Sequence, residues 1–495
     1  MRRGTLALTA VLLLAACGGS TVQRQDTATT DAGDVRGVVK SDHVLFQGIP
    51  YAAPPKGDLR WSAPAPVARW NGVRDATKPG NPCPQVGSSY SDTRSTDEDC
   101  LFLNVATPTG GVESKPVVVW IHGDGAVGAG HLYDGSRLAV RGDVVVVTIN
   151  YRMGVFGGFG LPGLAGSGTF GLQDQRAALD WVRRNARAFG GDPGNVTVFG
   201  VSYGATAVAA HLVSPESHGL FDKAIMHSGF ALMDLPAEAW YPGLDALPWL
   251  GWRDRREVEA LGQATAAELG CADLACLRSL PAERLLDHPH VMNIFQPMGV
   301  DDLPPDLLAR GEFARVPVLS GSTKDEHRGI VDLFRGEVSA EDYTTLLTKS
   351  FGDHARAVEA EYPLSAFASP TEAWSRVLTD RVWARATWRQ NRLLSAHTRT
   401  YAFEFADPTA TPHGATHHSD IDYLFPSTTP NALADDMIRY WTTFARTGDP
   451  NTEGLPTWPE FGNNNHVQSL APDNIGPTDF ATTHRLPFWE TTATR

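Results

Sequence analysis

Two stretches of the chain are near-continuous apolar runs rich in β-branched residues, Val117 to His122 (VVVWIH) and Val144 to Asn150 (VVVVTIN). Such runs suit strands buried on both faces, as in a mainly parallel sheet. Between Phe170 and Phe189 the period changes. Leu172, Ala178, Leu179, Val182 and Phe189 recur near a 3.6-residue spacing, which predicts a helix, and Gly190-Gly191-Asp192-Pro193 stops it. Val196 to Gly200 then reads as a short strand and Ala205 to Val213 as a helix. The strand pattern returns at Lys223 to His227 and at Pro317 to Ser320. This alternation is α/β order. Residues 235–310 and 335–395 read as helix-rich and less regular, suited to covering the mouth of a site. No repeat or linker-like stretch divides the body, so one domain over 35–495 is expected.

The first residues follow a different pattern. Arg2 and Arg3 precede an apolar run, Leu6 to Ala16, that ends at Cys17. A spanning helix needs about twenty apolar residues, and this run is far shorter. A charged start, a short apolar stretch and small residues before the break read as a secretory signal over 1–16. Leu14-Ala15-Ala16-Cys17 also resembles the bacterial lipobox, in which the cysteine is lipidated and becomes the new N-terminus. The alternative is ordinary cleavage beside an incidental cysteine. Acyl chains on Cys17 would hold the protein at a membrane surface without crossing it. Gly18 to Asp34 has almost no apolar content and reads as a flexible tether, so the folded body is expected to begin near Val35, outside the cytoplasm.

Composition narrows the possibilities further. With 495 residues, 42% of them hydrophobic and 20% charged, the chain can bury a large core, which excludes a disordered protein. Asp and Glu outnumber Lys and Arg by 56 to 42, a net charge of −14, and an acidic surface repels phosphate backbones. No nucleic-acid partner is expected. Five cysteines are too few for a disulfide scaffold, and the odd count leaves one, Cys17, with a separate task. An oxidising compartment permits disulfides among the other four, and sequence separation favours Cys83–Cys100 and Cys271–Cys276. Four buried thiols are the alternative.

Gly200-Val201-Ser202-Tyr203-Gly204 fits G-x-S-x-G. Glycines near a serine are common, but here a strand runs into the motif and a helix leaves it. That setting is the sharp turn that lifts a serine hydroxyl above a sheet. A serine hydroxyl is a poor nucleophile at neutral pH, so a histidine and an orienting carboxylate must follow, in the order Ser, acid, His.

Around this motif the sequence resembles the carboxylesterase type B family, the cholinesterase-like branch of the α/β-hydrolases, over nearly all of the body. The resemblance is carried by Phe46 to Ala52 (FQGIPYA) with Leu59-Arg60-Trp61, and by Glu98 to Val105 (EDCLFLNV). Asn150-Tyr151-Arg152, Gly171 to Gln175, Phe189 to Pro193, and Trp441, Phe444 and Gly448 to Asn451 add to it in the family's order. It implies an α/β-hydrolase fold, a large mostly parallel central sheet flanked by helices, with helical insertions over the active site. It also implies a serine ester hydrolase that needs no cofactor.

The same resemblance suggests roles. Lys324-Asp325-Glu326 follows the strand Pro317 to Ser320, where the family places its acid, and the pattern selects Glu326 over Asp325. Of His413, His417 and His418, the register of Asp420 to Phe425 (DIDYLF) selects His417, although His418 stands where the family has a small residue. A metal reading of the three histidines lacks a supporting carboxylate or cysteine framework. The resemblance implies that Ser228 hydrogen-bonds near the acid; a simple turn serine is the alternative. Backbone N–H groups of Asp124, Gly125 and Tyr203 would form the oxyanion hole. Three departures stand out: Asp124 for glycine, Ala126 for an aromatic residue, and Tyr203 for alanine. Val201 replaces a glutamate, and the Cys83–Cys100 loop carries no tryptophan to face a quaternary ammonium. Together these argue for a neutral small to medium ester and against a choline ester. A catalytically impaired binding or adhesion protein and a lipase are the competing functions. Arg60 with Glu98, and Arg152 with Asp174, are expected ion pairs, and Trp120 and Trp181 expected core. Oligomeric state is not legible in the sequence.

Overall fold

The computed structural model describes residues 26–87, 94–110, 114–124, 128–288, 298–425 and 431–492. Its centre is an eleven-stranded sheet among those residues. In chain order the strands are β1 (Val38–Val39), β2 (His43–Pro50), β3 (Phe102–Pro108), β4 (Lys115–Ile121), β5 (Val145–Ile149) and β6 (Gly191–Val201). They continue with β7 (Lys223–His227), β8 (Val318–Thr323), β9 (Thr400–Phe405), β10 (Val467–Leu470) and β11 (Gly476–Thr478). Across the sheet the order is β11-β10-β9-β8-β7-β6-β4-β5-β3-β2-β1. From β5 through β10 every pairing is parallel, and both edges are antiparallel. The expectation of a mostly parallel centre is met.

The apolar runs behave as their composition requires. Every residue of β4 and β5 is buried. Val117, Val119 and Ile121 pack into one core, while Val118 and Trp120 pack into the core on the opposite face. Covering both faces takes helices. Phe170–Asn185 and Tyr203–Val213 lie in the first core, and Ala432–Thr447 in the second. The expected helix over 170–189 is α-helical to Asn185 and then closes as a 3₁₀ turn, Ala186–Phe189, with Gly190 at φ 79° ending it. Trp120 and Trp181 are core residues.

One boundary differs from expectation. The tether expected over 18–34 is ordered from Asp26: Thr27–Thr29 pairs antiparallel with Asp34–Arg36, which in turn pairs with Val73–Asp75. This pair is held by backbone pairing, by side-chain bonds such as Thr29 Oγ1 to Asp34 Oδ1 at 2.7 Å and Arg184 Nε to Asp31 Oδ2 at 2.7 Å, and by burial of Ala28 and Val35 in the main core. The signal over 1–16, Cys17 and the tether as far as residue 25 lie outside the described residues. No helix among the described residues is long and apolar enough to cross a membrane.

Both expected disulfides, Cys83–Cys100 and Cys271–Cys276, are formed. Arg60 holds Glu98 through Nε at 2.7 Å and Nη2 at 2.5 Å, and Arg152 holds Asp174 through Nε at 2.7 Å and Nη2 at 2.8 Å. These bidentate geometries anchor the segments beside the sheet.

Candidate active site

Ser202 stands between β6 and the helix Tyr203–Val213, at φ 55° and ψ −122°. That backbone is sparsely populated for a residue with a side chain and costs on the order of 1–3 kcal/mol. Neighbouring groups hold it there. The Ser202 N–H donates to the His227 carbonyl at 2.8 Å, and Thr206 N–H donates to the Ser202 carbonyl at 2.9 Å. The motif's glycines are needed for space. A Cβ at Gly200 would fall 2.4 Å from the Gly204 backbone, and one at Gly204 would fall 2.2 Å from the Ile121 carbonyl oxygen.

Glu326 lies in the turn after β8 and is fully buried. Its Oε1 accepts from the Thr323 N–H at 2.8 Å, and its Oε2 accepts from His417 Nδ1 at 2.6 Å. The other ring nitrogen of His417, Nε2, is 3.0 Å from Ser202 Oγ. A carboxylate can only accept, so Nδ1 carries the ring proton and Nε2 is left to accept from the serine hydroxyl. Three residues separated by 91 and 215 positions thus form one hydrogen-bonded line.

The alternatives are accounted for. Asp325 turns away to Arg376 at 2.7 Å and to the Ala415 N–H at 3.2 Å. His413 is half exposed and lies 3.3 Å from Asp332, a surface pairing. His418 is partly buried, with its ring stacked on His417 at 4.1 Å between centroids. No cluster of His, Cys, Asp or Glu suited to a metal occurs among the described residues.

The expected bond from Ser228 to the acid is not made. Ser228 Oγ is buried without a hydrogen-bond partner among the described residues, and the bond to the second oxygen of Glu326 comes from the Thr323 N–H. Ser228 acts through its backbone, with its N–H donating to the Gly321 carbonyl at 2.9 Å and locking β7 to β8 below the site.

The loop after β4 packs on the serine. A Cβ at Gly123 would lie 3.0 Å from Ser202 Cβ. Asp124 follows at φ 72°, a left-handed conformation that aspartate tolerates better than most residues. Its charge is felt by Tyr133, whose hydroxyl pKa is pushed up first by burial and then by Asp124. Gly125 and Ala126 lie outside the described residues. The Tyr203 N–H opens the helix behind the serine. His122 folds back under the loop, with Nδ1 3.1 Å from the Gly123 carbonyl, and burial lowers its pKa to about 4.

Sequence reading missed a set of buried histidines and tryptophans that brace the segments carrying Ser202, Glu326 and His417. His227 Nδ1 is 2.6 Å from Asp420 Oδ2, and the Trp441 indole N–H donates to His227 Nε2 at 2.9 Å, all fully buried. The residue whose carbonyl holds Ser202 is thereby tied to the loop that carries His417. His327 accepts from the Trp383 indole N–H at 2.9 Å and lies 2.8 Å from the Ala239 carbonyl through Nε2. Adjacency of His327 to Glu326 and of His227 to Ser228 was the only local signal. Nothing near Trp383 in the sequence marks it.

This strand order, with a strained serine between β6 and a helix, defines an α/β-hydrolase. The chain belongs to the carboxylesterase family, whose model matches residues 24–489, and is a carboxylic ester hydrolase. It is 36% identical over 481 residues to a fumonisin B1 esterase of Sphingopyxis macrogoltabida, covering 89% of this chain and 85% of that protein. It is 34% identical over 463 residues to the para-nitrobenzyl esterase of Bacillus subtilis (strain 168), covering 88% and 92%. A solved PNB esterase structure superposes with a TM-score of 0.78 at 31% identity, over 94% of this chain and 99% of that one.

Proposed function

We propose that the protein hydrolyses a neutral small to medium carboxylic ester, with Ser202 as nucleophile, His417 as general base and Glu326 as its orienting carboxylate. The observation that carries this reading is His417 bridging Ser202 Oγ at 3.0 Å and Glu326 Oε2 at 2.6 Å. Ser202 Oγ attacks the ester carbonyl as its proton passes to His417 Nε2. Glu326 holds the Nδ1 proton and stabilises the imidazolium. The negative carbonyl oxygen takes backbone N–H donors from Asp124, Gly125 and Tyr203, contacts worth several kcal/mol in such sites. His417 then gives its proton to the departing alkoxide, and water attacks the acyl-enzyme with the same base.

A neutral substrate is supported by Val201, a buried apolar residue directly before the nucleophile, and by the absence of tryptophan between Cys83 and Cys100. The fumonisin B1 and para-nitrobenzyl esters named for two relatives are the first compounds to try. Hydrolysis of p-nitrophenyl esters of increasing acyl length, beside Ser202→Ala, tests the reading. Loss of hydrolysis in the variant supports it, and undiminished hydrolysis refutes it.

The protein also works outside the cytoplasm, held at a membrane surface by lipid on Cys17 after removal of residues 1–16. Arg2 and Arg3 before the short apolar run, the Leu14 to Cys17 motif and two disulfides support this. Metabolic labelling with a radioactive fatty acid in a bacterial host should mark the protein but not Cys17→Ala. An unlabelled parent protein would end the proposal.

A further inference from the structure

His417 is held at both ring nitrogens by hydrogen bonds, and two further rings pack against it. Trp383 lies with its centroid 4.6 Å away and its plane inclined by 47°, and His418 stacks at 4.1 Å and 27°. We infer that Trp383 and His418 are positioning residues that pack against and hold the His417 ring, and that Trp383 also stabilises the positive charge this ring carries during turnover. The inference rests on His417 being the general base.

Trp383 is itself held in place. Trp383 is buried in a π-helical turn, Thr379–Ala384, between the helices Pro370–Leu378 and Arg385–Ser395. Such a turn re-aims one side chain within a helix and recurs at functional sites. The indole N–H can only donate, so His327 Nδ1 must accept, and the Ala239 carbonyl can only accept, so His327 Nε2 must donate. His327 is therefore neutral, and burial holds its pKa near 3. The indole ring is thus fixed without a second cation beside the base.

His418 reaches its place through its backbone. Successive side chains of an extended segment point to opposite sides, so adjacent rings do not normally stack. His418 has φ 71°, which folds its ring back onto its neighbour, and histidine is among the residues enriched in that conformation. Its Nε2 lies 3.3 Å from the Cβ position of Gly123, so the ring also backs the loop that leads to Asp124. Burial first, and then His417, drive its pKa well down, so it stays uncharged when His417 is an imidazolium.

When Ser202 Oγ bonds to the ester carbon, its proton moves to Nε2 and the carbonyl π electrons move to oxygen. The ring then carries a full positive charge between Glu326 and the indole. A desolvated cation within about 6 Å of a tryptophan centroid is stabilised by the ring quadrupole. Other titratable and charged groups around this loop, among the described residues, include Glu326, His327, His418, Asp325 with Arg376, His413 with Asp332, and the buried Asp420 with its partner His227.

The test is kcat and KM on a p-nitrophenyl ester across the acid limb for the full protein, Trp383→Leu, Trp383→Phe, His418→Ala and Ser202→Ala. Trp383→Leu should lower kcat by about 3–10-fold with KM nearly unchanged. The acid limb of kcat/KM should move to lower pH by the logarithm of the same factor, because the lost contact favoured the imidazolium. Trp383→Phe should recover part of both effects, and His418→Ala should lower kcat. A folded Trp383→Leu with the parent's kcat and acid limb overturns the inference. If Trp383→Leu does not fold, parental kcat and acid limb in both Trp383→Phe and His418→Ala overturn it instead. Hydrolysis surviving in Ser202→Ala would instead defeat the triad reading on which the inference depends.

Discussion

Gly229 and Ser202 meet more closely than any side chain would permit: a Cβ at position 229 would fall 1.9 Å from the Ser202 carbonyl oxygen. The strained turn beneath the hydroxyl therefore depends on a glycine from the next strand's end as well as on Gly200 and Gly204. The atom in the way is backbone, and a side chain cannot rotate to relieve it. Gly229→Ala should lower hydrolysis at least 100-fold by displacing Ser202 Oγ from His417. Overpacking of this kind costs about 1–3 kcal/mol, so the melting temperature should also fall. Esterase assay beside thermal unfolding checks both, and full activity in the variant would show that the turn can adapt.

The two oxygens of Glu326 have different partners, which makes an amide substitution informative. In Glu326→Gln the carbonyl oxygen would remain with the Thr323 N–H, leaving the NH₂ facing His417 Nδ1. His417 would then hold its proton on Nε2, the wrong tautomer for accepting from Ser202. A loss of about 10⁴-fold in kcat is expected, with folding retained. A loss below tenfold would mean that Glu326 does not orient the base.

Position 124 has a left-handed backbone that a β-branched residue would resist. Asp124→Gly should keep kcat within about threefold of the parent, whereas Asp124→Val should lose at least tenfold as a backbone donor is misdirected. Equal activities in the two variants would remove position 124 from the oxyanion hole.

His484 provides a pH dependence remote from the serine. It is buried between Asp380 at 2.7 Å and Glu404 at 2.5 Å, with Arg485, Arg376 and the Tyr362 hydroxyl also facing Asp380. Burial lowers its pKa, but the two carboxylates prevail and raise it to about 9. A pKa raised on folding contributes stability in full below the unfolded value, about 6.5, and that contribution fades as pH rises through about 9. The melting temperature should therefore fall between pH 7 and pH 10, and His484→Gln should show a flatter profile at a lower starting value. Matching slopes in the two proteins would contradict this.

Much of this protein is determined locally in the sequence. β4 and β5 are legible because a strand covered on both faces must be apolar throughout, and the helix over 170–185 because one face must repeat every turn. The serine turn is legible because its glycines are steric necessities within five residues. Order at Thr27–Thr29 was not legible, since the strand buries a single alanine, Ala28, and is otherwise set by backbone pairing to Asp34–Arg36. Tertiary structure alone decided that Thr323, not Ser228, completes Glu326. It alone brought Trp383, 34 positions before His417, against the base, and joined His227 to Asp420 across 193 positions. These are contacts between segments distant along the chain, and a side chain's partner there depends on how strands and helices pack, which no local pattern of residues records.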